Sequence, residues 1–247
     1  MNGWRSLAGI EFFFRLVRLA KNSRYKPKKE RTKVLSIVNG IIKNQPAKIE
    51  TKIIPNLEHG ILGKINSIVI HRTAASTAKS TLNAWETKKS GAHFLIDKNG
   101  KIYQTAGLNK MCWHMGLVLA RCRLEKSCTK KDGAVIKNIL HGTGSWSDRF
   151  RNVSRHERKK NYPDRYPMNN DSIGIELVGL YLGGSGDKGL FEKMTKLQAS
   201  SFLWLITELL EKYNLSFGDD VYAHGEVARK KVNEGVGALD WLRDNYK

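Results

Sequence analysis

The sequence predicts an α/β domain in which a central mixed β-sheet is flanked by helices, preceded by an N-terminal helical extension. Three patterns carry this reading. Short runs of strand character recur at residues 67–70 and in SIGIELVG, the second apolar enough to be buried on both sides. Asn99-Gly100, a strong turn signal, lies between the alternating segments HFLID and KIYQ and predicts a hairpin. Phe202, Leu205, Ile206, Leu209, Leu210 and Tyr213 recur at helical spacing over residues 197–213 and predict an amphipathic helix. Strands that alternate with helices make an α/β fold.

From the beginning of the chain, residues 4–21 place Leu7, Ile10, Phe14 and Val17 at helical spacing, with Arg5, Arg15, Arg18 and Lys21 as a basic complement. This segment reads as a basic amphipathic helix that either docks on a membrane surface or packs on the domain. Glu11 and Arg15 break its apolar run, so it has neither the core of a signal peptide nor the length of a membrane span. Residues 22–33 read as a polar linker and 34–42 as a short helix, with the main domain expected at 57–247 and the extension at 1–56. Within the domain a helix containing Leu82 and Trp85 is expected over 77–90. Residues 117–167 form an insertion rich in charge, glycine and aromatics. A loop of that size is usually functional or carries its own structure.

At 247 residues the chain is long enough for one sizeable domain with extensions. Lys and Arg number 43 against 23 Asp and Glu, a formal charge of +20, which favours polyanionic partners through long-range attraction. The basic runs KPKKER, KKD, RHERKK and ARKK lack any accompanying RRM, zinc-finger or helix-turn-helix signature. Specific nucleic-acid recognition is therefore not expected. Cys112, Cys122 and Cys128 do not have the paired spacing of a structural zinc site. A disulfide would join Cys122 to Cys128, or Cys112 to one of them; in a reducing compartment all three would be buried thiols.

His71 follows the 67–70 strand, and His224 is followed ten positions later by Glu234. Two histidines and a carboxylate suit a catalytic zinc, which takes three protein ligands. A lone histidine after a strand is more often a core or surface residue, so the neighbouring stretches matter. These are GAHFLIDKNGKIYQ, CWHMG and NNDSIGIELVG, in that order between the two histidines. Together the five stretches resemble the zinc-dependent N-acetylmuramoyl-L-alanine amidases, a family that includes anhydromuropeptide amidases, phage amidases and peptidoglycan recognition proteins. The resemblance spans residues 65–241, interrupted by the insertion.

The resemblance implies His71 and His224 as zinc ligands. It places Glu234 where the family usually has an aspartate, with Asn233 or His141 as fallback ligands. Glu176 matches the catalytic glutamate of the anhydromuropeptide amidases. Ala92 stands where phage and animal relatives carry a tyrosine, which points to the same branch. The family's oxyanion-steadying lysine would fall on Val232, leaving Lys231 or Lys230 to substitute. His114 resembles a substrate-facing histidine, with Trp113 a wall for sugar or peptide and His93 a partner that orients a ligand. His59 and His156 read as ordinary surface residues. The expected partners are peptidoglycan or muropeptides, an anionic envelope surface met by the basic N-terminal helix, and an inhibitor (immunity) protein. The expected setting is bacterial: made in the cytoplasm without a classical signal peptide and acting at the cell wall. The alternative is a recognition module that binds muropeptides without cutting them.

Overall fold

The computed structural model describes residues 35–43, 49–184, 190–229 and 233–247. The expected helix at residues 4–21 lies outside them. The chain enters the fold through a small hairpin, β1 (Ile37–Val38) and β2 (Ile41–Ile42), and then β3 (Ile49–Thr51). Here the structure replaces the helix expected over 34–42. Asn39 and Gly40 both adopt positive φ, 51° and 80°, which closes a two-residue β-turn and excludes a helix. Leu35, Ile42 and Ile49 are buried in the main core, so the folded chain begins well before residue 57.

Six strands form the central sheet in the order β10-β4-β7-β5-β6-β3, where β4 is Ser67–Arg72, β5 Phe94–Ile96, β6 Ile102–Gln104, β7 Ser172–Leu177 and β10 Val221–Ala223. The pairs β10–β4, β4–β7, β7–β5 and β3–β6 are parallel. The hairpin β5–β6 is antiparallel, so the sheet is mixed as expected. Side chains alternate between faces along a strand. Ile68, Ile70, Phe94, Ile96, Ile173 and Ile175 therefore share one face, where they pack on Phe202, Leu205, Ile206 and Leu209. Those four belong to α5 (Lys196–Tyr213), which Thr195 caps by accepting from the Gln198 amide; α8 (Val236–Asn245) adds Leu239 and Leu242.

The opposite face carries Leu95 against Leu82 and Trp85 of α1 (Ala78–Thr87), and Val69 against Met115 and Val227. This second face also holds His71 and Glu176. The residues of the insertion fold into α2 (Arg121–Leu124), α3 (Lys130–His141) and α4 (Trp146–Glu157), around a small core of Ala120, Ile136 and Val153. Cys122 and Cys128 form a disulfide while Cys112 is a buried free thiol. Asp132 ties the helices together by accepting from His156 and Lys160, both at 2.6 Å. Among the described residues no helix is long and apolar enough to cross a membrane.

Candidate metal centre and active site

Two strand ends and one loop meet at the top of the sheet. His71 is the fifth residue of β4, and His224 begins the short helix α7 (His224–Val227) directly after β10. Because β10 and β4 are parallel neighbours, both histidines arrive at the same edge, with ring centroids 4.3 Å apart. Glu234 comes from the loop before α8. Its carbonyl accepts from the Gly225 amide at 2.8 Å. Gly235 adopts φ +84°, and a Cβ there would lie 2.3 Å from the Ile70 carbonyl oxygen, so only glycine lets this loop sit on the end of β4.

Glu234 Oε1 lies 3.3 Å from His71 Nδ1 and 3.0 Å from His224 Nδ1. All three ligand atoms lie within 4.8 Å of one another on buried residues. In a tetrahedral zinc site with bonds of about 2.0–2.1 Å, neighbouring ligand atoms are about 3.3 Å apart, so the spacing fits. Burial alone would raise the Glu234 pKa, but the neighbouring His224 and His71 outweigh it and hold this carboxyl well below the usual range. It is therefore an anion, as a ligand must be.

Behind the candidate ligands runs a column of histidines. His71 Nε2 lies 3.1 Å from His114 Nδ1, and His114 Nε2 lies 3.3 Å from the Ser172 carbonyl. Burial, then the neighbouring His71, His93 and His224, push the His114 imidazole well below its ordinary pKa, so it is neutral. With its Nε2–H donated to the carbonyl, His114 Nδ1 must accept, and His71 Nε2–H must donate. That tautomer aims His71 Nδ1 at Glu234, as a metal ligand requires. His93 stands alongside: its Nε2 donates to the Lys110 carbonyl at 2.9 Å and its Nδ1 accepts from the Gly174 amide at 3.1 Å. Burial lowers its pKa to about 4. Gly174 is small because a Cβ would lie 2.8 Å from His114 Cγ.

Glu176, half-buried, pairs in register with His71 across β4 and β7, so its carboxylate shares the ligand face. His114, expected to face substrate, lies behind His71 with 8% of its surface exposed; the Asn169 side-chain oxygen accepts its backbone amide at 3.0 Å and pins it there. Trp113 is 45% exposed and stacks on His59 with centroids 3.8 Å apart. His59 was not expected to take part, since no local motif surrounds it. His141 is exposed at the end of α3, outside the cluster that holds Glu234. Lys230, Lys231 and Val232 fall outside the described residues.

A model of the N-acetylmuramoyl-L-alanine amidase family matches residues 62–236. The chain belongs to that family. Among solved structures, this amidase-family chain is similar to a mutant endolysin from Bacillus subtilis, at 22% identity over 80% of this chain and 93% of that one, with a TM-score of 0.44. A selenomethionine derivative of AmpD gives 16% identity, 84% and 99% coverage and a TM-score of 0.47. The amidase AmiD from E. coli, in complex with an anhydromuramic acid tripeptide, gives 20% identity, 70% and 53% coverage and 0.44. The comparison with curated proteins gives no match.

Proposed function

We propose that the protein hydrolyses the amide bond between N-acetylmuramic acid and L-alanine in peptidoglycan, with a zinc ion held by His71, His224 and Glu234. The observation that carries this reading is the meeting of His71 Nδ1, His224 Nδ1 and Glu234 Oε1 at metal-ligand spacing beside Glu176, on a chain of the amidase family. When bound there, zinc supplies Lewis acidity that polarises the carbonyl and acidifies water. Glu176, as a carboxylate, takes the proton of the attacking water and returns it to the departing L-alanine nitrogen. His114 acts through His71, fixing its tautomer. The exposed Trp113 face, backed by His59, offers a flat wall to the sugar. We assign the oxyanion contact to Lys231, which lies outside the described residues.

We place this activity at the bacterial cell wall, in a lytic enzyme or secreted antibacterial effector whose producer needs an inhibitor protein. The +20 charge supports a site of action among anionic envelope polymers.

The test is mass spectrometry of purified peptidoglycan incubated with wild type, Glu176→Gln and EDTA-treated protein. Free peptides starting at L-alanine should appear with wild type, fall by roughly 10²–10⁴-fold with Glu176→Gln, and vanish on chelation until zinc is restored. Muropeptide bound by wild type without release of peptide would reassign the chain as a recognition module.

A further inference from the structure

Arg72 follows His71 in β4 and so points to the opposite face of the sheet. It is 5% exposed. Its Nη2 donates to the Glu192 carbonyl at 2.6 Å, while its Nε is buried with no partner. Among the described residues no carboxylate lies within ion-pair distance of it: Glu192 is held by Lys98 at 2.6 Å. Arg165, equally buried, shows the usual arrangement, pairing with Asp171 at 2.8 Å. A guanidinium stays charged, and a buried charge without a counter-ion is strongly unfavourable.

The position is nonetheless built. A Cβ at Gly179 would lie 1.8 Å from Arg72 Nη2, so this glycine of the ELVG segment makes room for the side chain. Arg72 lines a cavity of about 740 Å³, together with Glu192, Asn233, Gly235, Gly237 and Trp241. The first turn of the ten-residue helix α8 opens onto it, and its N-cap, Gly235, supplies no side-chain cap. Of its amides, Val236 and Ala238 already donate to the Asn233 and Gly235 carbonyls at 3.2 and 3.1 Å, which leaves the Gly237 N–H, at the positive end of the helix dipole, to meet an anion. Of the other acids on the wall, Asp240 is paired with Arg243 at 2.6 Å, and Asp244 is exposed.

We propose that this cavity is an anion subsite that receives a carboxylate of the substrate's peptide, paired with Arg72 on one side and with the Gly237 amide in the first turn of α8 on the other. The peptide assignment rests on the amidase reading of the neighbouring site. Asn233 and Gly235 line the cavity, while Glu234 between them turns to His71 and His224, so a single turn separates the carboxylate subsite from the metal centre. A peptide leaving the scissile amide carries free carboxylates into that region; a neutral glycan has none to offer.

The experiment titrates the full chain with the tripeptide L-Ala-γ-D-Glu-L-Lys, with its carboxamide counterpart and with inorganic phosphate, following heat and tryptophan emission. Wild type should bind the acid form about tenfold or more tightly than the amide, the usual scale for a charge-assisted hydrogen bond. The preference should disappear in Arg72→Gln. It should also disappear in Gly237→Asp, which places a competing carboxylate in the pocket at an exposed position with open space for a side chain. Gly237→Asp thus carries the test if Arg72→Gln fails to fold. Equal binding of the two peptides by wild type, or a preference that survives both substitutions, would overturn the proposal. Tighter binding of phosphate than of the acid peptide would overturn the peptide assignment. Muropeptide cleavage is scored separately: acid-form preference without cleavage sinks the amidase reading and leaves the anion subsite standing, and cleavage without preference does the reverse.

Discussion

Gly174→Ala tests the histidine column without touching any candidate ligand. The added Cβ would lie 2.8 Å from His114 Cγ, 2.9 Å from its Nδ1 and 3.1 Å from Ala92 Cβ. Ordinary carbon contacts are about 3.5–4.0 Å, so the ring must retreat by roughly 0.7 Å or more. His114 Nδ1 is already 3.1 Å from His71 Nε2, and such a shift carries the pair beyond about 3.5 Å, outside hydrogen-bond range. Overpacking costs about 1–3 kcal/mol and the lost hydrogen bond about 0.5–1.5 kcal/mol. Urea unfolding should therefore show a destabilisation of roughly 2–4 kcal/mol. Because His71 loses the partner that fixes its tautomer, zinc affinity measured by competition with a chromophoric chelator should fall about 10–100-fold. In a His114→Ala background the clash with the ring is gone and only the 3.1 Å approach to Ala92 Cβ remains, so the same glycine substitution should cost much less on either readout, a coupling that approaches the roughly 2–4 kcal/mol lost in wild type. Destabilisation with unchanged zinc affinity would refute the link from His114 to the metal centre; no change in either would refute the packing argument itself.

Two further outcomes follow from the same geometry. Reducing the Cys122–Cys128 disulfide, or replacing both residues with serine, should destabilise the insertion by about 2 kcal/mol, given the short loop it closes; differential scanning calorimetry with and without reductant checks this, and identical transitions would contradict it. His93, with a pKa lowered to about 4 by burial, binds its proton less readily folded than unfolded. Its contribution to stability is thus complete above about pH 6.5 and is lost as pH falls from there towards 4, by up to about 3 kcal/mol. Urea midpoints between pH 7 and 4.5 should fall less steeply in His93→Gln than in wild type, and parallel profiles would assign the pH response to other groups.

How much of this was legible in the sequence depends on how local the signal is. The strands bearing His71 and Glu176, the Asn99-Gly100 hairpin and α5 were readable because each carries its periodicity within a few residues. β1 and β2 were not, since strands of two residues leave no measurable alternation, although Asn39-Gly40 was a turn signal of the same kind as Asn99-Gly100. Glu234 was found by its offset from His224, yet nothing local shows that His114 turns inward to His71, 43 residues away. Gly174 was the available hint: a glycine in a strand otherwise apolar marks a close approach by another group. Strand parity then decides what the site is. His71 and Arg72 are sequence neighbours that face opposite sides of one sheet, and β4 holds six consecutive residues in register with β7, from Ser67↔Ser172 to Arg72↔Leu177. Turning β4 by one residue would bring Arg72 to the face of Glu176 and send His71 toward Gly179 and α8. The ligand triad and the uncompensated guanidinium are therefore specified together, and a sequence change that loosens the β4–β7 register should damage metal binding and peptide selectivity in parallel.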